Sequence, residues 1–129
     1  MADVVVDTDV FSFTLKGDTR AALYKKHLDG NLLHLSFSTV AELYRWTIVH
    51  NWGKKRIDKL EAAIGNCFVL GYDHDMAWEW AAVMSIKGRP MGPGDAWVAA
   101  TALRHGLPLV THNRKHFENI PGLAVISEA

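Results

Sequence analysis

Short apolar runs alternate along this chain with segments of helical period, and that alternation limits the fold more than any other feature. Runs at Val4–Val6, Leu33–Phe37, Cys67–Leu70, Pro108–Thr111 and Leu123–Ile126 have the length and branching of strands. Between them, Asp18 as N-cap and Gly30 as stop mark a first helix of about three turns. A second helix begins at Ser38 and carries Val40, Leu43, Tyr44, Thr47 and Ile48 on one face, until Gly53 interrupts it. A third presents Ile57, Leu60 and Ile64 on one side, with Lys54, Lys55, Arg56, Asp58, Lys59 and Glu61 around the rest. A fourth runs from about Asp75 to Lys87, and a fifth opens near Pro93 or Gly94 and stops at Gly106.

Strands that alternate with helices require right-handed crossovers, hence a parallel sheet with helices on both faces. The near-uniform apolarity of Val4–Val6 and Leu107–Val110 fits strands buried on both sides. The 129 residues are enough for one domain spanning 1–129, with no linker or repeat to divide them. Fourteen Lys and Arg balance fourteen Asp and Glu, which excludes a strongly basic nucleic-acid coat protein but not a local basic patch. A lone Cys67 in an apolar run suits a reducing cytoplasm. No stretch free of Asp, Glu, Lys and Arg exceeds that from Asn31 to Ala41, so no membrane span is expected, and Met1-Ala2-Asp3 is not the basic start of a signal peptide.

In a sheet of this kind ligands bind beyond the carboxyl ends of the strands. Asp7 follows the first strand, Glu42 lies in the first turns of the helix after the second, Asp95 opens the fifth helix, and Asn113 follows the fourth strand. Each alone has an ordinary reading: Asp7 and Asp95 as helix caps, Glu42 as a solvated residue opposite its helix's apolar stripe, Asn113 with Thr111 as a polar turn. Together they bring carboxylates to one edge of one sheet, where mutual repulsion raises their pKa values unless a cation neutralises them. Oxygen donors without Cys or His select Mg²⁺ or Mn²⁺, ions that support phosphodiester cleavage.

The pieces Val6-Asp7-Thr8, Ser38-Thr39-Val40-Ala41-Glu42-Leu43, Pro93-Gly94-Asp95-Ala96 with Ala99-Ala100-Thr101-Ala102, and Leu109-Val110-Thr111-His112-Asn113 with Phe117 and Ile120-Pro121-Gly122-Leu123 fall in the order and spacing of a known family. The chain resembles the PIN-domain ribonucleases, and within them the VapC toxins of type II toxin–antitoxin pairs. The resemblance implies a three-layer α/β/α sandwich with a five-stranded parallel sheet. It also implies an endoribonuclease dependent on Mg²⁺, with Mn²⁺ as substitute, that cleaves structured RNA such as tRNA through metal-activated water. Asp7 and Asp95 would be the principal metal ligands, Glu42 would complete the acidic cluster, and Asn113 would take the fourth catalytic position, where many members carry Asp. With one negative charge fewer, and His116 standing where relatives often have another Asp, one tight metal is expected. Thr8, Thr111, Arg114 and Lys115 are the candidate substrate contacts. A cognate VapB-like antitoxin and a homodimer are implied as partners.

Four other readings are open. His112 and His116 are spaced i, i+4, yet a closed zinc site needs more ligands than these and a distant Cys67 provide. Asp7-Thr8-Asp9 also looks like the opening of haloacid-dehalogenase-type phosphatases, but Asp95 has no downstream acidic partner. No Gly-rich phosphate loop is present. A PIN-like module that only binds RNA or protein would be signalled by loss of Asp7, Glu42 or Asp95, and none is lost. Trp78 and Trp80 point in different directions on one helix, which makes one of them a candidate for a partner surface.

Overall fold

A computed structural model describes all residues, 1–129. Five strands form one parallel sheet: β1 (Asp3–Val6), β2 (Leu32–Ser36), β3 (Phe68–Leu70), β4 (Leu109–Val110) and β5 (Val125–Ile126), in the order β3-β2-β1-β4-β5. Seven helices connect them: α1 (Thr8–Lys16) and α2 (Ala21–Leu28), α3 (Phe37–Val49) and α4 (Lys54–Gly65), α5 (His74–Met84) and α6 (Pro93–His105), and the single turn α7 (Arg114–Phe117). The expected α/β architecture and five-stranded parallel sheet are both present.

The central strand shows why the sheet is covered on both faces. Successive strand side chains point to opposite sides. Val4 and Val6 enter one core with Val10, Phe13, Tyr24, Leu43 and Leu60, whereas Val5 enters the other with Val98, Ala99, Leu109 and Phe117. The second core accepts α6 closely because the helix turns Ala96, Ala99, Ala100 and Ala102, all fully buried, toward its neighbours. Gly106 ends α6 in the left-handed conformation, φ 64°, where a side chain would be strained. No helix is long and apolar enough to cross a membrane.

The structure departs from the sequence reading in four places. The turn after β1 is itself a helix, α1, capped by Asp7. Asp18 does not cap a three-turn helix: its Oδ1 accepts from the Arg20 N–H at 2.9 Å, and α2, eight residues long, starts only at Ala21. The predicted stripe on α3 is half right, since Leu43 and Thr47 are buried and Val40 partly so, while Tyr44 and Ile48 face outward, Ile48 at 76% exposure. The helix expected to reach Lys87 stops at Met84, and Gly88 turns the chain at φ 72°. The split between Trp78 and Trp80 is as read: Trp78 is 72% exposed, and Trp80 stacks on Trp97 at 5.3 Å.

From β1 the chain first builds outward through β2 and β3, then returns across to β4 on the other side of β1. Connections leaving β1 and β4 therefore diverge, and a crevice opens between their carboxyl ends.

Candidate active site

Asp7 and Thr111 stand on the two lips of that crevice. Asp7 leaves β1 with extended backbone, and its N–H donates to the Val110 carbonyl at 2.9 Å, so the sheet ladder fixes it directly. As N-cap of α1 it turns its carboxylate back, where Oδ1 accepts from the Thr8 N–H at 2.8 Å. Oδ2 accepts from the Thr111 hydroxyl at 2.7 Å. The residue is 4% exposed. Burial, repulsion from Asp9 and repulsion from Asp95 push its carboxyl up to about 7, against the pull of the Thr111 and Thr8 donors.

Asp9, one residue into α1, completes this wall. Its Oδ1 accepts from the Val10 N–H at 2.7 Å and its Oδ2 from the His112 N–H at 3.1 Å, which ties the head of α1 to the loop after β4. Partial burial and the nearby Asp95 raise its carboxyl, while those two amides and His112 oppose the rise. Asp95 sits in the first turn of α6, where the helix dipole favours an anion. Its Oδ2 lies 2.9 Å from His116 Nδ1. Glu42 rides on α3 with much of its surface exposed, yet its carboxyl is raised by partial burial and by Asp95 and Asp9, partly offset by Arg45.

Asp7, Asp9, Glu42 and Asp95 thus share one electrostatic environment, three of them near the N-termini of α1 and α6. No three His, Cys, Asp or Glu side chains converge into a ready-made metal cage. Asp7 is instead bonded to Thr8 and Thr111, and Asp95 is turned toward His116. The donor set is nonetheless hard oxygen throughout, and burial with mutual repulsion raises Asp7, Asp9 and Glu42, so its chemistry fits a divalent ion.

The remaining predicted positions separate. Thr111 is buried and acts on Asp7, and Thr8 is buried with its hydroxyl donating to Thr39 Oγ1 at 3.0 Å. Asn113 is exposed at the head of α7, where its N–H donates to Thr111 Oγ1 at 3.0 Å and its side chain makes no capping bond. The Arg114 guanidinium donates to the Ser127 carbonyl at 2.9 Å, so it clamps the segment after β5. Lys115 keeps an exposed side chain beside the crevice. His112 and His116 face different partners, Tyr24 and Asp95. Sequence reasoning missed Asp9 as a member of the acidic group. Its signal was the carboxylate two residues after Asp7, legible only once α1 begins at Thr8.

A model of the PIN domain matches residues 4–123. The tRNA(fMet)-specific endonuclease VapC of Salmonella typhimurium is 29% identical over 128 residues, covering 97% of both chains. The VapC ribonuclease Y4jK of Sinorhizobium fredii is 31% identical over 136 aligned positions, covering 96% of both. Among solved structures, DNA-bound VapBC from Salmonella typhimurium superposes with a TM-score of 0.81 at 26% identity, covering 98% of both chains. VapBC2 from Rickettsia felis, bound to a promoter DNA fragment, superposes at 0.82 with 20% identity over the full length of both, a likeness of fold.

Proposed function

The chain belongs to the PIN-domain family, and within it to the VapC ribonucleases, and from that premise we propose that it is a metal-dependent endoribonuclease serving as the toxin of a toxin–antitoxin pair. The observation that carries the proposal is the buried Asp7 carboxyl, raised to about 7 among three further carboxylates at the switch point of the sheet. Such acidity is unfavourable in a merely structural crevice and useful in one that binds a cation.

Asp7 and Asp95 would hold the ion, with Glu42 joining directly or through water, and Mg²⁺ or Mn²⁺ suits these donors. When bound, the ion supplies Lewis-acid polarisation of the phosphate and lowers the pKa of water. Thr111 and the Thr8 N–H keep the Asp7 oxygens oriented. Glu42, whose carboxyl is held above its usual range, is suited to take the proton of the attacking water. The new O–P bond forms in line with the P–O bond that breaks, and the leaving ribose oxygen takes a proton from solvent water. Lys115 and Asn113 line the side from which the RNA backbone approaches.

Structured RNA, with tRNA as the first candidate, is the proposed substrate, by analogy with the relative whose name states tRNA(fMet) specificity. A VapB-like antitoxin is the proposed partner, in keeping with the VapBC complexes that share the fold; an arginine of that partner could occupy the crevice in place of the cation. A homodimer in the cytoplasm, each copy a single PIN domain over 1–129, completes the reading. Exposed Trp78 and Tyr72 offer apolar surface for such contacts, and the partly buried thiol of Cys67 is pushed up in pKa, as suits an unreactive free cysteine.

The test is cleavage of total tRNA by antitoxin-free protein with Mg²⁺, Mn²⁺ or EDTA, alongside Asp95→Asn. Discrete fragments that vanish with EDTA and with the variant support the proposal. Absence of cleavage by folded protein, persisting after Asn113→Asp, would favour a binding module instead.

A further inference from the structure

A chain of zero net charge exerts no overall pull on a polyanion, so attraction depends on where unpaired cations gather. Many are already engaged. Lys25 pairs with Asp29, Lys26 with Glu128, Lys54 with Asp58, Arg20 with Asp18 and Arg104 with Asp73. Beside the crevice, His116 faces Asp95, Arg114 is tied to the Ser127 carbonyl, and Lys115 stands exposed without an ion pair. Lys16, Arg56 and Lys59 are in no ion pair, and they line one open hollow between the end of α1 and the start of α4, with Leu15 and Trp52. The hollow continues past Trp46 and His50 at the end of α3.

Its floor is what makes this more than a solvated helix face. Trp46 and Trp52 are half-buried and pack against the core on the α1 side of the sheet. The Arg56 guanidinium lies 3.9 Å from the centroid of the Trp52 ring, and Lys16 Nζ lies 5.6 Å from that of Trp46. Cation–π contact holds both charges in place while leaving their outer faces free. The entropy lost when flexible cations grip a ligand is therefore partly lost in advance. A flat guanidinium on an indole, flanked by two ammonium groups, matches phosphodiester oxygens and the face of a base.

Position adds the second argument. Asp7 caps the head of α1 and Lys16 is its last residue, so the hollow and the acidic crevice lie at opposite ends of one nine-residue helix, roughly 14 Å apart along its axis. One RNA can reach both. We infer that this basic, tryptophan-floored hollow is a second RNA-binding site, gripping the phosphodiester backbone of the substrate a few nucleotides from the scissile bond. The inference rests on the ribonuclease reading for the identity of the polyanion.

The experiment measures binding of fluorescein-labelled bulk tRNA by fluorescence anisotropy, in EDTA so that cleavage is silent, across a salt series. Lys16→Ala/Arg56→Ala/Lys59→Ala should weaken binding roughly tenfold or more and reduce the log–log salt slope by about two to three. Lys25→Ala/Lys26→Ala/Lys54→Ala removes the same number of charges from cations already paired, and should change affinity less than about threefold. Should the first variant not fold, Lys59→Ala, which disturbs no ring contact, carries the test with an expected loss of about threefold. Equal loss in both triple variants, or none in the first, overturns the inference. So does unchanged tRNA binding with lost affinity for a poly-glutamate peptide, which would make the hollow a site for acidic protein. If wild-type protein binds tRNA through the hollow yet never cleaves RNA with Mg²⁺, the ribonuclease reading fails while the site stands.

Discussion

The Thr111 hydroxyl donates to Asp7 Oδ2 at 2.7 Å, joining two buried residues 104 positions apart in the chain. The bond spans the point where the sheet's connections diverge, between the carboxyl ends of β1 and β4. Thr111 Oγ1 also accepts from the Asn113 N–H at 3.0 Å. One hydroxyl thus fixes both the rotamer of the central carboxylate and the backbone that leads into α7.

Thr111→Val keeps the shape and removes the donor. It should cost about 1–2 kcal/mol of stability, because a buried carboxylate oxygen and the Asn113 N–H both lose a partner. RNA cleavage should fall roughly tenfold or more, since Asp7 is freed to rotate. Thr111→Ser should restore most of both. Urea denaturation and a cleavage assay on the three proteins check this, and a fully active valine variant would sink it.

Asp7 should make the cation-free protein less stable as pH rises. Its carboxyl titrates near 7 in the folded state, against an ordinary value of 3.8. The folded state therefore holds more protons than the unfolded chain between these values, and stability falls across that window. The contribution is fully present below about pH 4 and is lost as pH passes through about 7. Asp7→Asn should flatten the profile and raise the Tm near pH 8 by several degrees, about 4 °C for each kcal/mol recovered, while abolishing cleavage. Thermal melts from pH 4 to 8 in EDTA decide it; a variant that melts lower at pH 8 would contradict the assignment.

How much of this was legible in the sequence depends on which forces act locally. Strands such as Val4–Val6 announce themselves because both faces are buried, and α6 because Pro93 and Gly106 bracket it. The helix α1 did not, since its segment mixes Asp9, Ser12 and Thr14 with Val10, Phe11 and Phe13, and its N-cap is the very residue with a functional reading. Asp9 was missed for the same reason: its partner amide, on His112, lies across the sheet. The Arg114 clamp on Ser127 and the Lys16 and Arg56 contacts with Trp46 and Trp52 are likewise long-range or rotamer-level facts. Asp7, Glu42 and Asp95 stand out in the sequence because each lies near the start of a recognisable element; that their charges act on one another is a property of the fold.

Cation binding should be coupled to a proton. Asp7 must give up its proton to serve as a ligand, so apparent Mn²⁺ or Mg²⁺ affinity should fall by up to about tenfold per pH unit below pH 7 and level off above it. Calorimetric titrations in buffers of different ionisation enthalpy measure the proton released. The bound ion should also raise the Tm most at high pH, where repulsion in the crevice is greatest, and EDTA should reverse that rise. An affinity independent of pH between 5 and 7 would remove Asp7 from the ligand set.

Asn113 should limit the number of ions the crevice holds. It stands exposed at the head of α7, its N–H tied to Thr111 and its side chain free of capping duty. His116, the next-but-two residue, faces Asp95 rather than adding acidity. The crevice therefore has carboxylates on the α1, α3 and α6 sides and none on the α7 side, so one ion should bind tightly and a second only weakly. Asn113→Asp supplies the missing charge without disturbing a buried contact. Mn²⁺ binding followed by electron paramagnetic resonance should show one tight ion in the natural chain and a second, at least about tenfold tighter than before, in the variant. Cleavage at low Mg²⁺ should rise with it, because a second ion would stabilise the leaving oxygen. Two tight ions in the natural chain would mean that the α7 side is supplied from elsewhere, with Asp9 as the first residue to test.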